Sequence, residues 1–326
     1  MKILVTGGSG FVGQHLAHTL LGQGHDVAIL GRDFSRSGAL IAAGAQPLAV
    51  DLRDRAATIA ACAVDAVYHV GALSAPWGRR ADFHAINVDG TANIVAGCQR
   101  HHVQRLIYVS SPSVVFDGRD QRDLTEAAPY PRRFASIYSL TKKLGEDLVN
   151  HAASIGLPTV ILRPKAIFGP GDAALLPRLI AAARRGRLPQ IGDGHNLVDL
   201  TYVENVIQAL VQALDAPAAL GRTYTITNDE HAPLWNVIRT VLRHLGLATQ
   251  LRTLPLAPAL AAARLMEARA ALLGGEPLLT RYSAAILART QTYDISAARR
   301  DLGYRPRVTV AEGVARTLAA LPAGAG

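Results

Sequence analysis

Apolar residues fall in short continuous blocks, separated by turns and by longer stretches in which they recur at helical spacing. Seven blocks read as strands: Lys2–Thr6, Asp26–Leu30, Pro47–Asp51, Ala66–Val70, Arg105–Ser110, Thr159–Arg163 and Arg222–Thr227. Unbroken rather than alternating apolar runs belong to strands covered on both faces. Between them lie helical patterns, such as the run from Phe11 with Leu16, Leu20 and Leu21 on one face, and the run Ser136–Ala152. This alternation predicts an α/β fold, a Rossmann-type doubly wound parallel sheet of about seven strands. The pattern changes after Pro164. Residues 173–187 look helical, 188–196 form a Pro/Gly-punctuated loop, and Val198–Thr201 is short and extended. From His231 the chain is mainly helical and rich in Ala, Leu and Arg. The expected organisation is a larger sheet unit (1–172 and 198–230) and a smaller, mainly helical C-terminal unit (173–197 and 231–326), with Pro322–Gly326 frayed.

The chain has 326 residues, 49% of them hydrophobic, enough for a large core in one or two domains. Its 34 basic and 25 acidic residues give a net charge of +9 without any Lys/Arg block or aromatic-interleaved basic stripe, which disfavours nucleic-acid binding. A basic surface would attract an anionic ligand. Cys62 and Cys98 sit in apolar helical contexts, as in a reduced cytoplasmic protein without a disulfide framework. The sequence opens on a strand, so no signal peptide is expected. Arg264, Glu267 and Arg269 interrupt the apolar stretch Leu254–Gly275, which therefore reads as a helix lining an apolar pocket rather than a membrane span. Peripheral membrane contact is the alternative for that stretch. His69, His84, His101 and His102 show no metal-like spacing; no metal site is expected.

The first candidate chemistry lies between the first strand and the first helix. Gly7, Gly10 and Gly13 stand in GGSGFVG. Gly7 permits the tight turn, Gly10 lets the backbone approach a pyrophosphate, and Gly13 lets the helix pack on the strand. Free N–H groups at the helix start would hold the phosphates. The second strand ends in Gly31-Arg32-Asp33. An NAD site usually places a carboxylate where Gly31 stands, whereas Arg32, with Arg36 as a second contact, suits the 2′-phosphate of NADP(H). NAD(H) binding through Asp33 is the competing reading.

The second is Tyr138 with Lys142. Lysine is scarce, occurring only at positions 2, 142, 143 and 165, yet one stands four residues after a tyrosine within a helical run. That spacing puts both side chains on one face. An ammonium there would lower the phenol's pKa and let it pass a proton near neutral pH. A plain surface pair is the bland alternative. Lys143 points about 100° away and takes no role.

Taken together, TGGSGFVG (Thr6–Gly13), Asp51-Leu52, HVGA (His69–Ala72), NVDGTAN (Asn87–Asn93), YVSSPSV (Tyr108–Val114), YSLTK (Tyr138–Lys142) and LRPKAIFGPGD (Leu162–Asp172) resemble the extended short-chain dehydrogenase/reductase family over essentially the whole chain. The 3-beta-hydroxysteroid dehydrogenase-like branch is the most similar, and within it the bacterial 2-alkyl-3-oxoalkanoate (beta-keto acid) reductases. Pro76–Gly78, Gly192–Val206, EPLLTRY and YDISAARRDLGY carry that finer likeness.

The resemblance implies a catalytic triad of Ser111, Tyr138 and Lys142, with Ser110 and Ser113 as neighbouring alternatives for the serine. It implies dinucleotide contacts from the glycine loop with Phe11 and Val12, from Arg32, from Asp51 and Leu52, from Val70, Gly71 and Ala72, and from Pro164 and Ile167. Arg163 would border the nicotinamide too. Tyr138 would donate a proton to a ketone oxygen during hydride transfer from NADPH, Ser111 would hydrogen-bond that oxygen, and Lys142 would also hold the nicotinamide ribose. Nucleotide-sugar enzymes of this family carry an arginine before Asp199; Val198 stands there and argues against such a substrate. The implied enzyme is an NAD(P)-dependent oxidoreductase interconverting a hydrophobic ketone and alcohol, foremost a 3-oxo/3-hydroxy acid. A 3-beta-hydroxysteroid dehydrogenase using NAD and a non-catalytic dinucleotide sensor are the alternatives. A homodimer through the helices carrying Asn87–Arg100 and Tyr138–Asn150 is also implied.

Overall fold

The structure, a computed structural model, describes residues 1–172 and 175–321. The tail expected to fray, Pro322–Gly326, and the first two residues of the helix expected from 173 lie outside them. Seven strands build the main sheet: β1 (Lys2–Thr6), β2 (Asp26–Gly31), β3 (Gln46–Ala49), β4 (Ala66–His69), β5 (Arg105–Val109), β6 (Thr159–Pro164) and β7 (Arg222–Ile226). Their order is β7-β6-β5-β4-β1-β2-β3, and every adjacent pair is parallel. The order reverses between β1 and β4, the kind of switch point at which open parallel sheets bind ligands outside the carboxyl ends of their strands.

Alternation along each strand splits the core in two. Ile3 and Val5 of β1 join Leu16 and Leu20 of the Phe11–Gly22 helix and Val206 and Leu210 of the Val203–Asp215 helix on one face. Leu4 joins Cys62, Ile94, Cys98 and Val149 on the other. Both faces are buried at the central strands, which is why these read as unbroken apolar runs. Cys62 and Cys98 are buried free thiols.

The C-terminal third holds a third core around Trp235, with Ile191, Ile238, Leu242, Ala259 and Ala284. A four-stranded sheet accompanies it, ordered His231–Pro233, Leu197–Asp199, Gln291–Tyr293, Gln121–Leu124. The last strand leaves the larger expected unit and pairs Gln121 with Gln291. The expected apolar stretch is the helix Leu256–Leu273, which buries only Ala259 and Ala263 and exposes Leu265 (73%) and Leu272 (85%). With Arg281 it borders a surface cleft lined by Leu260, Arg264 and Ala268, rather than an enclosed apolar pocket. Among the described residues, no helix is long and apolar enough to cross a membrane.

Candidate active site

The glycine loop is built for close approach. Gly7 sits at φ +64°, and a Cβ there would come within 2.7 Å of the Gly71 Cα. A Cβ at Gly13 would lie 2.1 Å from the Gly7 carbonyl oxygen. Gly10 opens the Phe11–Gly22 helix without any side-chain cap, so its leading N–H groups remain available to an anion. The loop therefore fits a dinucleotide pyrophosphate. Phe11 closes one side by packing near Gly169 and Gly171, and Val12 packs on the core.

Beneath the loop runs a buried hydrogen-bond chain. Thr6 Oγ1 accepts from the Gly71 N–H at 3.0 Å and meets His69 Nδ1 at 2.7 Å; His69 Nε2 meets Thr91 Oγ1 at 3.0 Å. Burial depresses the His69 pKa to about 3, so the ring is neutral and structural. Leu52 packs against Gly71, setting the third-strand loop beside Val70, Gly71 and Ala72. Asp51 is held by Arg53 through two side-chain bonds of 2.7 and 2.9 Å, which lower its pKa to about 2.

At the end of β2, a Cβ on Gly31 would sit 2.8 Å from Ser9 Oγ, so a carboxylate-bearing side chain has no room without a shift. Asp33 spends its carboxylate on Ser35, accepting from the backbone N–H at 2.8 Å and the hydroxyl at 3.0 Å. Arg32 is exposed and close enough to Asp51 to lower its pKa.

The helix Ile137–Ser154 begins one residue later than expected, with Ser136 as its cap: Ser136 Oγ accepts from the Ser139 N–H at 3.0 Å. Tyr138 and Lys142 stand one turn apart, as the spacing predicts. Lys142 is 2% exposed, and its Nζ lies 4.0 Å from the centroid of the Tyr108 ring. Burial lowers its pKa to about 7, against the raising effect of Glu146. The sequence predicts a phenol acidified by the lysine. The structure differs: burial pushes the Tyr138 pKa above its ordinary value, the neighbouring Tyr282 adds to this, and Ser111 opposes it by a side-chain hydrogen bond. Desolvation of the phenolate outweighs the helical neighbour, whose ammonium faces Tyr108.

Among the three serines after β5, Ser111 is the one whose hydroxyl works to lower the Tyr138 pKa. Its Oγ also accepts from the Ser113 N–H at 3.2 Å, opening the short 3-10 turn Pro112–Val115. Ser110 and Ser113 are both buried with unpartnered hydroxyls. Tyr282, from the EPLLTRY segment, brings a second phenol to the site, with its ring 6.2 Å from Phe116. The sequence carried no signal for that role beyond the motif itself.

Asn87 clamps the site from below. It lies in a π-helical turn, Ala85–Asp89, and is 1% exposed. Its Oδ1 accepts from the Leu73 N–H at 2.7 Å, and its Nδ2 donates to Leu73 O and Thr141 Oγ1 at 3.0 Å each. The loop after β4 is thus tied to the Tyr138 helix; π-turns recur at functional sites for such re-aiming.

Pro164 ends β6, and Ile167 pairs with Thr201 just beyond it. The Arg163 guanidinium does not border the site. It grips Glu146 with two 2.7 Å bonds, one helical turn beyond Lys142, and donates to Tyr130 at 3.1 Å. This buried ion pair fixes the helix to the strand. Val198 is 4% exposed and belongs to the core beside Ala232 and Gln291, so it presents nothing to a ligand.

A parallel Rossmann sheet, a glycine cradle at its switch point and a Tyr–Lys pair one turn apart beside the end of β5 define an NAD(P)-dependent oxidoreductase of the extended short-chain dehydrogenase/reductase class. Its cofactor is a nicotinamide dinucleotide. The chain belongs to the 3-beta hydroxysteroid dehydrogenase/isomerase family, whose model matches residues 4–256. It is 39% identical to a 2-alkyl-3-oxoalkanoate reductase of Stenotrophomonas maltophilia, over 97% of this chain and 98% of that one. It is 36% identical to a 3beta-hydroxysteroid-dehydrogenase/decarboxylase of Arabidopsis thaliana, over 97% and 78%. The fold matches UDP-glucuronic acid 4-epimerase from Bacillus cereus in complex with NAD, at a TM-score of 0.78, 24% identity and 98% coverage of both chains.

Proposed function

We propose that the protein is an NADPH-preferring ketone/alcohol oxidoreductase acting on a hydrophobic 3-oxo/3-hydroxy acid, with Ser111, Tyr138 and Lys142 as its catalytic residues. The observation that carries this reading is the Tyr138–Lys142 pair one turn apart on one helix, with the lysine buried and Ser111 opening the turn after β5. Residues 1–172 and 198–230 hold the dinucleotide, and residues 173–197 and 231–326 the substrate. Gly7, Gly10 and Gly13 cradle the pyrophosphate, Arg32 takes the 2′-phosphate, and Pro164 and Ile167 lie against the nicotinamide. When bound, the nicotinamide supplies or accepts the hydride.

A raised Tyr138 pKa keeps the phenol protonated at neutral pH, which suits a donor to a ketone oxygen. Because Ser111 Oγ accepts from the Ser113 N–H, its own proton is free to point at the same oxygen and stabilise the growing charge. Lys142, desolvated and without an ion-pair partner among the described residues, supplies a positive charge that ribose hydroxyls and a developing phenolate can claim. The names of the relatives favour the acid, and the Arabidopsis relative keeps a steroid substrate as the second reading.

Tyr138→Phe should lower turnover by about 10²–10⁴-fold while leaving dinucleotide affinity near wild type, since only the proton donor is lost. Across a series of 3-oxo acids, kcat/KM should rise roughly fourfold per added methylene until the pocket fills, the equivalent of about 0.8 kcal/mol each. Activity on a 3-hydroxysteroid with no chain-length dependence would select the steroid reading. Dinucleotide binding with no turnover of any ketone would leave a sensor.

A further inference from the structure

Lys165 follows Pro164 directly, where the chain leaves the main sheet beside the Ser111 loop: Ser110 N–H donates to Leu162 O at 2.7 Å across β5 and β6. Its backbone is pinned on both sides. The N–H donates to Ile226 O at 3.0 Å, and the carbonyl accepts from Thr201 Oγ1 at 2.5 Å. The next residue, Ala166, takes a left-handed φ of +43°, a conformation that a non-glycine residue holds only when its surroundings impose it. The Lys165 ammonium is therefore placed rather than free to swing from a loose loop.

That ammonium makes no ion pair among the described residues. It hydrogen-bonds a neutral group, Gln291 Oε1 at 2.5 Å, and stands 5.7 Å from the Tyr293 ring centroid. Asp199 is the carboxylate whose charge reaches it, but both Asp199 oxygens are engaged. Oδ1 is bound by His231 Nδ1 at 2.6 Å, and Oδ2 accepts from the Tyr293 N–H at 2.8 Å. Tyr293 is 2% exposed, and its hydroxyl has no partner among the described residues. A half-buried cation without a counter-ion and a buried O–H without an acceptor both cost stability unless something else satisfies them. The same cluster borders the catalytic groups. Tyr293 packs against Val114 and Val115 of the turn that Ser111 opens, and Tyr282 acts electrostatically on Tyr138 and Tyr293 alike.

We propose that Lys165, beside the Tyr293 ring, receives the carboxylate of the substrate and so selects 3-oxo and 3-hydroxy acids over neutral ketones and alcohols. The inference rests on the ketone/alcohol reading above and adds what recognises the acid. A carboxylate offers Lys165 the charged acceptor that the Gln291 oxygen is not, and a charge-assisted bond in a desolvated site is worth more than the same pair in water. Burial holds the Lys165 pKa at about 8, so the side chain is still mainly protonated at pH 7, and a bound carboxylate would favour its charged form further.

The test compares one long-chain 3-hydroxy acid with its methyl ester in the oxidative direction, using wild type, Lys165→Met and Lys165→Arg. Lys165→Met should reduce kcat/KM for the acid by roughly 10- to 100-fold and leave the ester within about twofold, with Lys165→Arg recovering most of the loss. Titration of a saturated long-chain fatty acid, followed by calorimetry, gives a second readout that needs no turnover; its dissociation constant should weaken by the same factor in Lys165→Met. Equal losses on acid and ester would reduce Lys165 to a structural residue. Unchanged fatty-acid binding in Lys165→Met would overturn the proposal whatever the activity. Failure of wild type to turn over acid, ester or any ketone would instead remove the functional reading, leaving the titration to decide on Lys165.

Discussion

Gly145 should tolerate no side chain, although alanine is the better helix former. It lies within Ile137–Ser154, three residues after Lys142, and a Cβ there would come 2.1 Å from the Tyr108 hydroxyl oxygen and 2.9 Å from its Cζ. Tyr108 is fully buried, so its ring cannot swing out to solvent. Helix propensity favours alanine by about 1 kcal/mol. Overpacking a closed core costs about 1–3 kcal/mol, and an overlap of more than an ångström belongs at the upper end. The net expectation for Gly145→Ala is a loss of about 2 kcal/mol. For a chain of this length that is a fall in Tm of roughly 3 °C, from an unfolding entropy of about 2.1 cal/mol/K per residue. The functional effect follows from what the ring carries: Lys142 Nζ rests 4.0 Å from its centroid, so displacing Tyr108 displaces the ammonium and should weaken dinucleotide binding several-fold. Tyr108→Phe removes the oxygen that lies 2.1 Å from the added Cβ, and the double variant should recover more than half of both losses. The assays are thermal unfolding and dinucleotide titration of all four proteins, read as a double-mutant cycle. A Gly145→Ala protein as stable as wild type, or a zero coupling energy with Tyr108, would refute the reasoning.

Two further outcomes follow from charge. Arg32→Asp should turn the cofactor preference from NADPH toward NADH, with NADPH affinity falling roughly 10- to 100-fold, the value of a charge-assisted phosphate contact; an unchanged ratio of kcat/KM for the two cofactors would mean that Arg32 is only a solvated loop residue. Lys142→Met should stabilise the free protein below pH 7 by about 2–5 kcal/mol while abolishing activity, because the folded pKa of about 7 lies far below the unfolded value near 10.5. Between those values the unfolded chain binds a proton that the folded chain gives up, so wild-type stability should rise with pH across that window; Tm against pH for both proteins checks the sign, and a variant less stable than wild type at pH 6 would count against it.

The main sheet was legible because its central strands are buried on both faces and so read as apolar blocks. The third strand shows the limit of boundaries: Val50 and Asp51 were expected in it, but it ends at Ala49, and Asp51 turns away to take Arg53. The small sheet was mostly invisible. Its strands are three or four residues long and partly polar, and the pairing of Gln121 with Gln291 is a tertiary contact that no local pattern records. Of the candidate site, the helical spacing foretold that Tyr138 and Lys142 stand one turn apart, whereas Ser111 was named only through the family resemblance. The sequence could not show that burial rather than Lys142 governs the Tyr138 phenol, since desolvation depends on what packs over the ring. Tyr282, Tyr293 and Asn87 gave no signal of their own. Lys165 gave one that is physical: in a chain that uses arginine almost everywhere, each of its few lysines stands out.

That preference has a structural logic around the Tyr138 helix. Glu146 lies four residues after Lys142, the spacing at which a lysine and a glutamate normally pair on a helix. It does not pair with it, because Arg163 holds both Glu146 oxygens and Tyr130 adds a third bond at 2.7 Å. Arginine suits that role because its planar fork satisfies a buried carboxylate bidentately and never loses its charge. Lysine suits the other, since a compact ammonium can remain uncommitted, shift its pKa with burial and respond to an arriving ligand. By claiming Glu146, Arg163 leaves Lys142 as a desolvated charge without an ion-pair partner among the described residues. Lys165, hydrogen-bonded to a glutamine, is left in the same state at the end of β6. Both ammonium groups carry a desolvation penalty in the free protein, and an anionic or hydroxyl-bearing ligand relieves it. On the proposed reading, part of the energy that binds cofactor and substrate is stored in the fold as two ammonium groups without counter-ions among the described residues, Lys142 toward the cofactor and Lys165 toward the acid.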